Sequence, residues 1–262
     1  RSYLPPEKIK KWLSHPVPGL SNLLASFFGA ISPFCSCSSI PLFLGFVESR
    51  IPLGVAFSFL ITSPLVNEVA FVIMIGLFGF KIAVAYAVSG ILLGVIAGMI
   101  LGALKLDHLL IRKTKEIACV AEMPKTHKDK FNWAVNNTMD LFKYIYKFVL
   151  LGVGVGSLIH GYVPQEFFTQ YIHADNIFAV PLAVVLGIPI YAGCSTLVPV
   201  IFAITSKGIP LGTSLAFMMA IAGLSLPEAM ILKSAMKAKL LTTFYIIVGL
   251  GIIFVGYLFN YI

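Results

Sequence analysis

Pro33-Phe34-Cys35-Ser36-Cys37-Ser38-Ser39-Ile40-Pro41 places two thiols and three hydroxyls between two prolines, inside a long apolar run. Proline lacks the backbone donor and clashes with the preceding helical turn, so this stretch predicts a helix break. In hydrocarbon, such a break is stable only inside protein or against a wet cavity. A stretch of the same make-up, Ile190 to Pro199, follows about 158 residues later. Paired breaks of this kind indicate the binding site of a transporter.

Composition predicts the class of protein. The 262 residues are 58% hydrophobic and 11% charged, with a mean hydropathy of +0.94, whereas soluble domains are about 25% charged. Apolar runs longer than about 18 residues recur. We therefore expect an all-α polytopic protein of the cell inner (plasma) membrane. The net charge of +8 comes largely from lysines and arginines beside apolar runs, which suits the positive-inside rule better than nucleic-acid binding.

The chain divides into two similar halves. We predict a first transmembrane repeat over 1–104, a cytoplasmic basic linker over 105–142 and a second repeat over 143–262. Each half contains a segment broken at its cysteine stretch, a second segment broken near an acidic residue, and an uninterrupted span. These segments are 20–48, 52–80 and 82–104 in the first half, and 177–206, 210–235 and 238–261 in the second.

An ordered series of identities relates the halves. At an offset of 158, Gly29 aligns with Gly187, and Phe59 with Phe217. The same offset also aligns Pro41 with Pro199, and Pro52-Leu53-Gly54 with Pro210-Leu211-Gly212. The predicted span 143–161 has no partner in the first half, so we expect an equivalent span before Arg1.

Charge favours an inverted relation between the halves. If each cysteine segment re-enters on one face, eight basic residues become cytoplasmic and only Lys81 and Lys207 lie outside, as the positive-inside rule expects. The eight are Arg1, Lys8, Lys10, Lys11, Arg50, Lys233, Lys237 and Lys239. We therefore predict two inverted-topology repeats with broken, re-entrant helices at the cysteine–serine motifs, which would meet near the midplane.

Three thiols are candidate ligands. Cys35, Cys37 and Cys194 occupy matching breaks, and thiolate is a soft ligand for Cu(I), Zn(II) and other thiophilic centres such as trivalent arsenic. Alternatively, each cysteine is a small buried hydrophobe, as we expect for Cys119. Half-helices beginning at Ser38 and Thr196 would favour an anion at their N-termini.

Hydroxyl groups beside these thiols predict a polar path. Alternatively, they bond carbonyls in their own helices. The residues are Ser36, Ser38, Ser39, Ser195 and Thr196.

Two carboxylates are candidates for proton coupling. Glu68 and Glu228 lie at the second break of each half, and carboxylates within membrane segments commonly carry protons. The alternative places them at the solvated interface. We expect Asn67 to belong to the substrate site, where it would pair with Glu68.

These residues resemble a known family. Pro33-x-Cys35-Ser36-Cys37, then Ile40-Pro41, Pro52-x-Gly54 and Ser63-Pro64-x-x-Asn67 are similar to the predicted permease family that includes the organoarsenical efflux permeases. The resemblance implies efflux of trivalent methylated arsenicals, or of copper or zinc. The chain departs from the family's frequent pattern at Ser38, where glycine often follows the motif.

Together these features favour a secondary transporter over an enzyme. We expect export of a soft metalloid or metal species, driven by protons, with the lipid bilayer and a small thiophilic substrate as partners. No cofactor is expected, and homo-oligomerisation is left open. The alternatives are a permease for small sulfur compounds and a membrane thiol oxidoreductase that uses Cys35 and Cys37.

Overall fold

The computed structural model describes residues 19–32, 36–49, 51–110, 178–190, 192–206 and 208–261. The predicted span 143–161, most of the predicted linker, Cys35 and Cys119 lie outside these ranges. The described part is helical, apart from one isolated bridge between Leu110 and Met236.

Ten α-helices and one short 3₁₀ helix make up the described part. In the first half they are α1 (Leu20–Ile31), α2 (Ser36–Glu48), α3 (Leu53–Leu65), α4 (Glu68–Phe78) and α5 (Phe80–Ala103), followed by the 3₁₀ turn Leu106–Leu109. In the second half they are α6 (Ala179–Gly187), α7 (Cys194–Ser206), α8 (Leu211–Gly223), α9 (Leu226–Ala235) and α10 (Ala238–Tyr261).

Several of these helices are long and apolar enough to cross a membrane. Within the described ranges, three segments meet this test: α5, α10 and the stretch Leu211–Lys233, which runs through α8 into α9. The pair α3 and α4, bent by 45°, makes a fourth if it is one span. These segments match the predicted spans, and the chain is a multi-pass membrane protein.

The second breaks are confirmed. Helix α3 ends at Leu65 and α4 begins at Glu68, while α8 ends at Gly223 and α9 begins at Leu226. Pro64 and Pro227 lie at these two positions. Proline in a membrane helix frees backbone groups that neighbouring helices must satisfy, so each break needs partners from elsewhere in the bundle.

At the cysteine motifs, helix begins earlier than predicted. Helix α2 starts at Ser36 and α7 at Cys194, two residues before the predicted starts at Ser38 and Thr196. The N–H groups of the first helical turn have no intrahelical acceptor in any helix, so the motif residues are accommodated there. Pro41 and Pro199 then deprive the helix carbonyls four residues earlier of their usual donor.

The centre of the bundle is formed by α3 and α8. All residues of α3 from Leu53 to Leu65 are buried, as is α8 from Gly212 to Gly223. Helices that are apolar on all sides are typical of a protein core. Helices α1, α2 and α5 pack on α3, while α6, α7 and α10 pack on α8. The two assemblies meet where α3 contacts α8 and α5 contacts α10.

Residues that align between the halves make equivalent contacts. A Cβ built on Gly29 would lie 3.0 Å from the carbonyl oxygen of Phe59, and one on Gly187 would lie 3.3 Å from that of Phe217. Close helix crossings repeat in the same way, between Gly54 and Gly98 and between Gly212 and Gly256. Small residues allow such close approach of membrane helices, so the alignment of the halves has a direct counterpart in packing.

The end of α5 lies beside the start of α10. The Lys237 N–H donates to the Leu109 carbonyl at 2.9 Å, and Leu110 pairs with Met236 in the isolated antiparallel bridge. Helices α5 and α10 are also in contact, and a Cβ built on Gly251 of α10 would meet the side chain of Leu93 of α5, so these two helices pack antiparallel to each other.

Candidate functional site

The two second breaks meet in the bundle. A Cβ built on Gly223, the last residue of α8, would lie 3.2 Å from the side chain of Leu65, the last residue of α3. Both residues are fully enclosed. The ends of two core helices, where backbone groups lack helical partners, are therefore neighbours in the interior.

Cys194 lies over the first of these breaks. Its Sγ is 3.8 Å from the carbonyl oxygen of Leu65 and 3.8 Å from the hydroxyl oxygen of Tyr86. Tyr86, on α5, donates its hydroxyl hydrogen to the same Leu65 carbonyl at 2.9 Å. Cys194 is only 8% exposed. A thiol from the second half is thus held against the break of the first half.

The Leu65 carbonyl can accept hydrogen bonds from side chains because helix α3 ends at this residue. The N–H of Val69, four residues on, bonds the side chain of Asn67 at 2.9 Å, so it cannot serve Leu65. A buried carbonyl without a donor is costly. Tyr86 supplies that donor, and the thiol adds a weaker contact on the same oxygen.

A second tyrosine serves the other break. Tyr245 on α10 donates its hydroxyl hydrogen to the Ser225 carbonyl at 2.9 Å. It lies 159 residues after Tyr86, so the two halves use nearly equivalent tyrosines at equivalent breaks.

Glu228 and Ser225 are buried polar residues with unused hydrogen-bonding capacity. Glu228 is 2% exposed and Ser225 is 1% exposed. In the described part of the chain, neither Glu228 carboxyl oxygen nor the Ser225 hydroxyl has a hydrogen-bond partner. Most buried polar groups are hydrogen-bonded, so such exceptions often mark functional positions.

The polar residues at the second break of the first half differ in burial and bonding. Glu68 is exposed, and Asn67 caps α4 by accepting hydrogen bonds from the N–H groups of Val69 at 2.9 Å and Ala70 at 3.4 Å. Asn67 therefore uses its oxygen for capping. The amide nitrogen is the group left for the predicted pairing with Glu68.

The other predicted site residues are placed as follows. Ser38 and Thr196 are exposed, Ser195 is half-buried and Ser39 is buried. Ser36 and Cys37 belong to the first turn of α2, but their side chains, like all of Cys35, lie outside the described part. Among described residues, no three histidine, cysteine or acidic side chains form a metal-ion cluster. The three-thiol site stays a prediction.

The sequence prediction missed Tyr86, Tyr245 and Ser225. The repeat could have revealed the tyrosines. Tyr245 lies 159 residues after Tyr86, only one more than the 158 residues that separate the other matched pairs. Ser225 was detectable through the Ser-x-x-Glu pattern that it forms with Glu228, which is typical of a helix start.

Comparisons with known proteins agree with this architecture. The profile of a family described as "Predicted permease" matches residues 1–261. The UPF0718 protein MJ0584 of Methanocaldococcus jannaschii is 22% identical over 306 residues, covering 94% of this chain and 82% of that protein. The UPF0718 protein YcgR of Bacillus subtilis is 24% identical over 243 residues, covering 88% and 81%.

A third similar protein carries a more specific name. A Streptococcus mutans protein named "Putative two-component membrane permease complex subunit" is 24% identical over 173 residues, covering 65% of this chain and 57% of that protein. No solved structure matches the chain.

Proposed function

The chain belongs to the ArsP_1 family of predicted permeases, and from this premise we propose that it is a secondary transporter that exports a soft metalloid or metal species. Trivalent organoarsenicals are the substrate class that suits it best. The observation that carries the proposal is the position of Cys194, a buried thiol held against a helix break of the opposite half.

The substrate site combines soft and polar groups. Sulfur binds thiophilic centres far better than oxygen does, so Cys194 would capture the substrate together with Cys35 and Cys37. The hydroxyls of Ser36, Ser38, Ser195 and Thr196, with Asn67, would line its path. A bound substrate would displace Cys194 from the Leu65 carbonyl, and Tyr86 would keep that carbonyl satisfied.

An inverted repeat would provide alternating access. Equivalent helices α5 and α10 run in opposite directions, which is the relation expected of halves related by an axis in the membrane plane. Lys105 and Lys239, near the adjoining ends of these helices, would both be cytoplasmic, as the charge distribution predicts. Rocking of one half against the other about the central breaks would open the thiols to each side in turn.

Proton coupling would drive export. Glu68 and Glu228 are the predicted coupling carboxylates, and Glu228 is the one that the bundle encloses, in the first turn of α9, so its protonation can be linked to the movement of that helix. The outward-facing transporter would bind a proton from the outside. Release of this proton to the cytoplasm would follow the return to the cytoplasm-facing state.

Flux through purified protein in proteoliposomes tests this function. Methylarsenite, arsenite, Cu(I), Zn(II) and thiosulfate would be compared, with and without a pH gradient. We expect transport of methylarsenite, and loss of about tenfold or more in Cys194→Ser, since even indirect supports of a metal site contribute 10–100-fold. Cys119→Ser is the matched control and should transport like the unmodified chain.

The alternatives give different results. Transport of thiosulfate in preference to methylarsenite would support a permease for sulfur compounds. Thiol oxidation without flux of any of the five compounds would favour a membrane oxidoreductase and contradict the proposal.

A further inference from the structure

We propose that Ser225, Glu228 and Tyr245 form the proton site of this transporter, and that Glu68 takes no part in coupling. This inference rests on the proposed function, because it names the group that carries the driving ion. It adds Ser225 and Tyr245 to the site and makes the two halves functionally unequal.

The start of α9 is a capping box whose side-chain bonds are not made. Ser225 is the N-cap residue and Glu228 lies three positions later. In such a box the serine oxygen normally accepts from the third helical N–H, and the glutamate normally reaches back to the N-cap N–H. Here Ser225 makes no side-chain cap bond, and the Glu228 carboxyl is unpartnered within the described part.

Other groups contribute to holding the main chain at this point. The Ser225 carbonyl accepts from the Ala229 N–H at 3.0 Å and from Tyr245, and the Leu226 N–H donates to the Ile188 carbonyl at 2.8 Å. The helix start is held by these bonds, and within the described part of the chain the Ser225 hydroxyl and the Glu228 carboxyl contribute no hydrogen bond to it.

The surroundings favour a proton as the bound ion. Tyr245 gives its hydrogen to the Ser225 carbonyl, so its oxygen keeps lone pairs at the start of the helix that carries Glu228. A protonated carboxyl can donate to this oxygen or to the Ser225 hydroxyl, whereas an ionised carboxyl without a partner is very costly to bury. One proton bound at Glu228 neutralises the site, and its loss restores the carboxylate.

Few other titratable groups face this site. Helix α9 packs on α2 and α10. Helix α10 contributes Tyr245, α8 carries no titratable residue, and Lys233 of α9 is exposed more than one turn away. The titratable residues of α2 are Cys37 and Glu48, whose side chains lie outside the described part.

The first half lacks the same device. Asn67 aligns with Ser225 at the offset of 158, and its side chain accepts two main-chain N–H hydrogen bonds. The position that aligns with Glu228 is Ala70, and Glu68, two positions earlier, is exposed. The enclosed carboxyl of Glu228 therefore has no counterpart at the aligned position of the first half.

Infrared difference spectroscopy of the full chain in lipid tests the proposal without a transport substrate. We expect the unmodified protein and Glu68→Gln to show the carbonyl stretch of a protonated carboxyl that disappears as the pH is raised. Glu228→Gln should lack this band, and Tyr245→Phe should shift its frequency, because the polar hydroxyl at this helix start is removed. If Glu228→Gln does not fold, Glu228→Asp should retain the band at a changed frequency.

Several results would overturn the inference. These are a band that survives in Glu228→Gln, a band lost in Glu68→Gln, no band at any pH, or a band removed by sodium at constant pH, which would identify a sodium site. Flux is a separate measurement: pH-gradient stimulation of methylarsenite export should vanish in Glu228→Gln and persist in Glu68→Gln. Absence of flux in all proteins would contradict the transport function and leave the spectroscopic result standing.

Discussion

At the residue scale, a tyrosine from a neighbouring helix donates to a carbonyl at each second break. Tyr86 and Tyr245 both donate to a main-chain carbonyl at 2.9 Å. In an apolar interior a carbonyl freed by a helix break, such as that of Leu65, has no water to bond. Tyr86 therefore stabilises the first break and places its hydroxyl oxygen beside Cys194, while Tyr245 adds a second donor to a carbonyl that already accepts a helical N–H.

Tyr86→Phe should destabilise the protein without creating a cavity. The Leu65 carbonyl would keep only the thiol contact, and a buried acceptor left unsatisfied costs about 1–3 kcal/mol. The free energy of unfolding in mixed micelles measures this loss. Tyr261→Phe is the control, since Tyr261 is 93% exposed, and equal stability of the two variants would contradict the assigned role.

Asn67→Ala should weaken the start of α4. Loss of an N-cap costs about 0.5–2 kcal/mol, and aspartate caps about as well as asparagine. Asn67→Asp should therefore retain both stability and flux if capping is the main role of Asn67. Unfolding and methylarsenite transport of the two variants would be compared. Normal stability of Asn67→Asp with lost transport would instead favour direct contact with substrate.

At the element scale, glycines set the separation of the helices in each half. A Cβ on Gly98 would lie 2.7 Å from the Gly54 carbonyl oxygen and 2.9 Å from the Ser58 nitrogen. Since both neighbours are backbone atoms, α3 and α5 would have to move apart. Gly212 and Gly256 create the equivalent constraint between α8 and α10.

Gly98→Ala should therefore destabilise the bundle by about 1–3 kcal/mol, the usual cost of overpacking. Gly76→Ala is a matched control on α4, where an added Cβ would meet nothing within 4 Å. Alanine favours helix over glycine by about 1 kcal/mol, so the control should be neutral or slightly more stable. Thermal unfolding would compare the two, and a stable Gly98→Ala variant would show that α3 and α5 do not cross closely.

At the scale of the whole molecule, the relation between the halves determines which side of the membrane each helix end faces. Lys81 and Lys239 are equivalent at the offset of 158, and both are exposed in the first turn of their helices. An inverted repeat places them on opposite sides of the membrane, whereas a parallel repeat places them on the same side.

Labelling of Lys81→Cys and Lys239→Cys, each in a background without other cysteines, would distinguish these arrangements. We expect a membrane-impermeant thiol reagent applied from outside to intact cells to label Lys81→Cys, and Lys239→Cys only after permeabilisation. Labelling of both variants from one side would exclude the inverted repeat.

The sequence by itself determined the class of protein, the long spans and the positions of the second breaks. These features depend on local physics: hydropathy over about 20 residues predicts a membrane span, and proline removes a helical hydrogen bond at its own position. The repeat was visible for the same reason, because Gly29 and Gly187, or Phe59 and Phe217, mark the same contacts in both halves.

Only the tertiary structure decided which groups meet at the breaks. Glu68 and Glu228 both follow a second break, 160 residues apart, and one is exposed whereas the other is only 2% exposed. The contact of Cys194 with Leu65 joins residues 129 positions apart. Burial and long-range contact follow from how ten helices pack together, and no local pattern of residues records that packing.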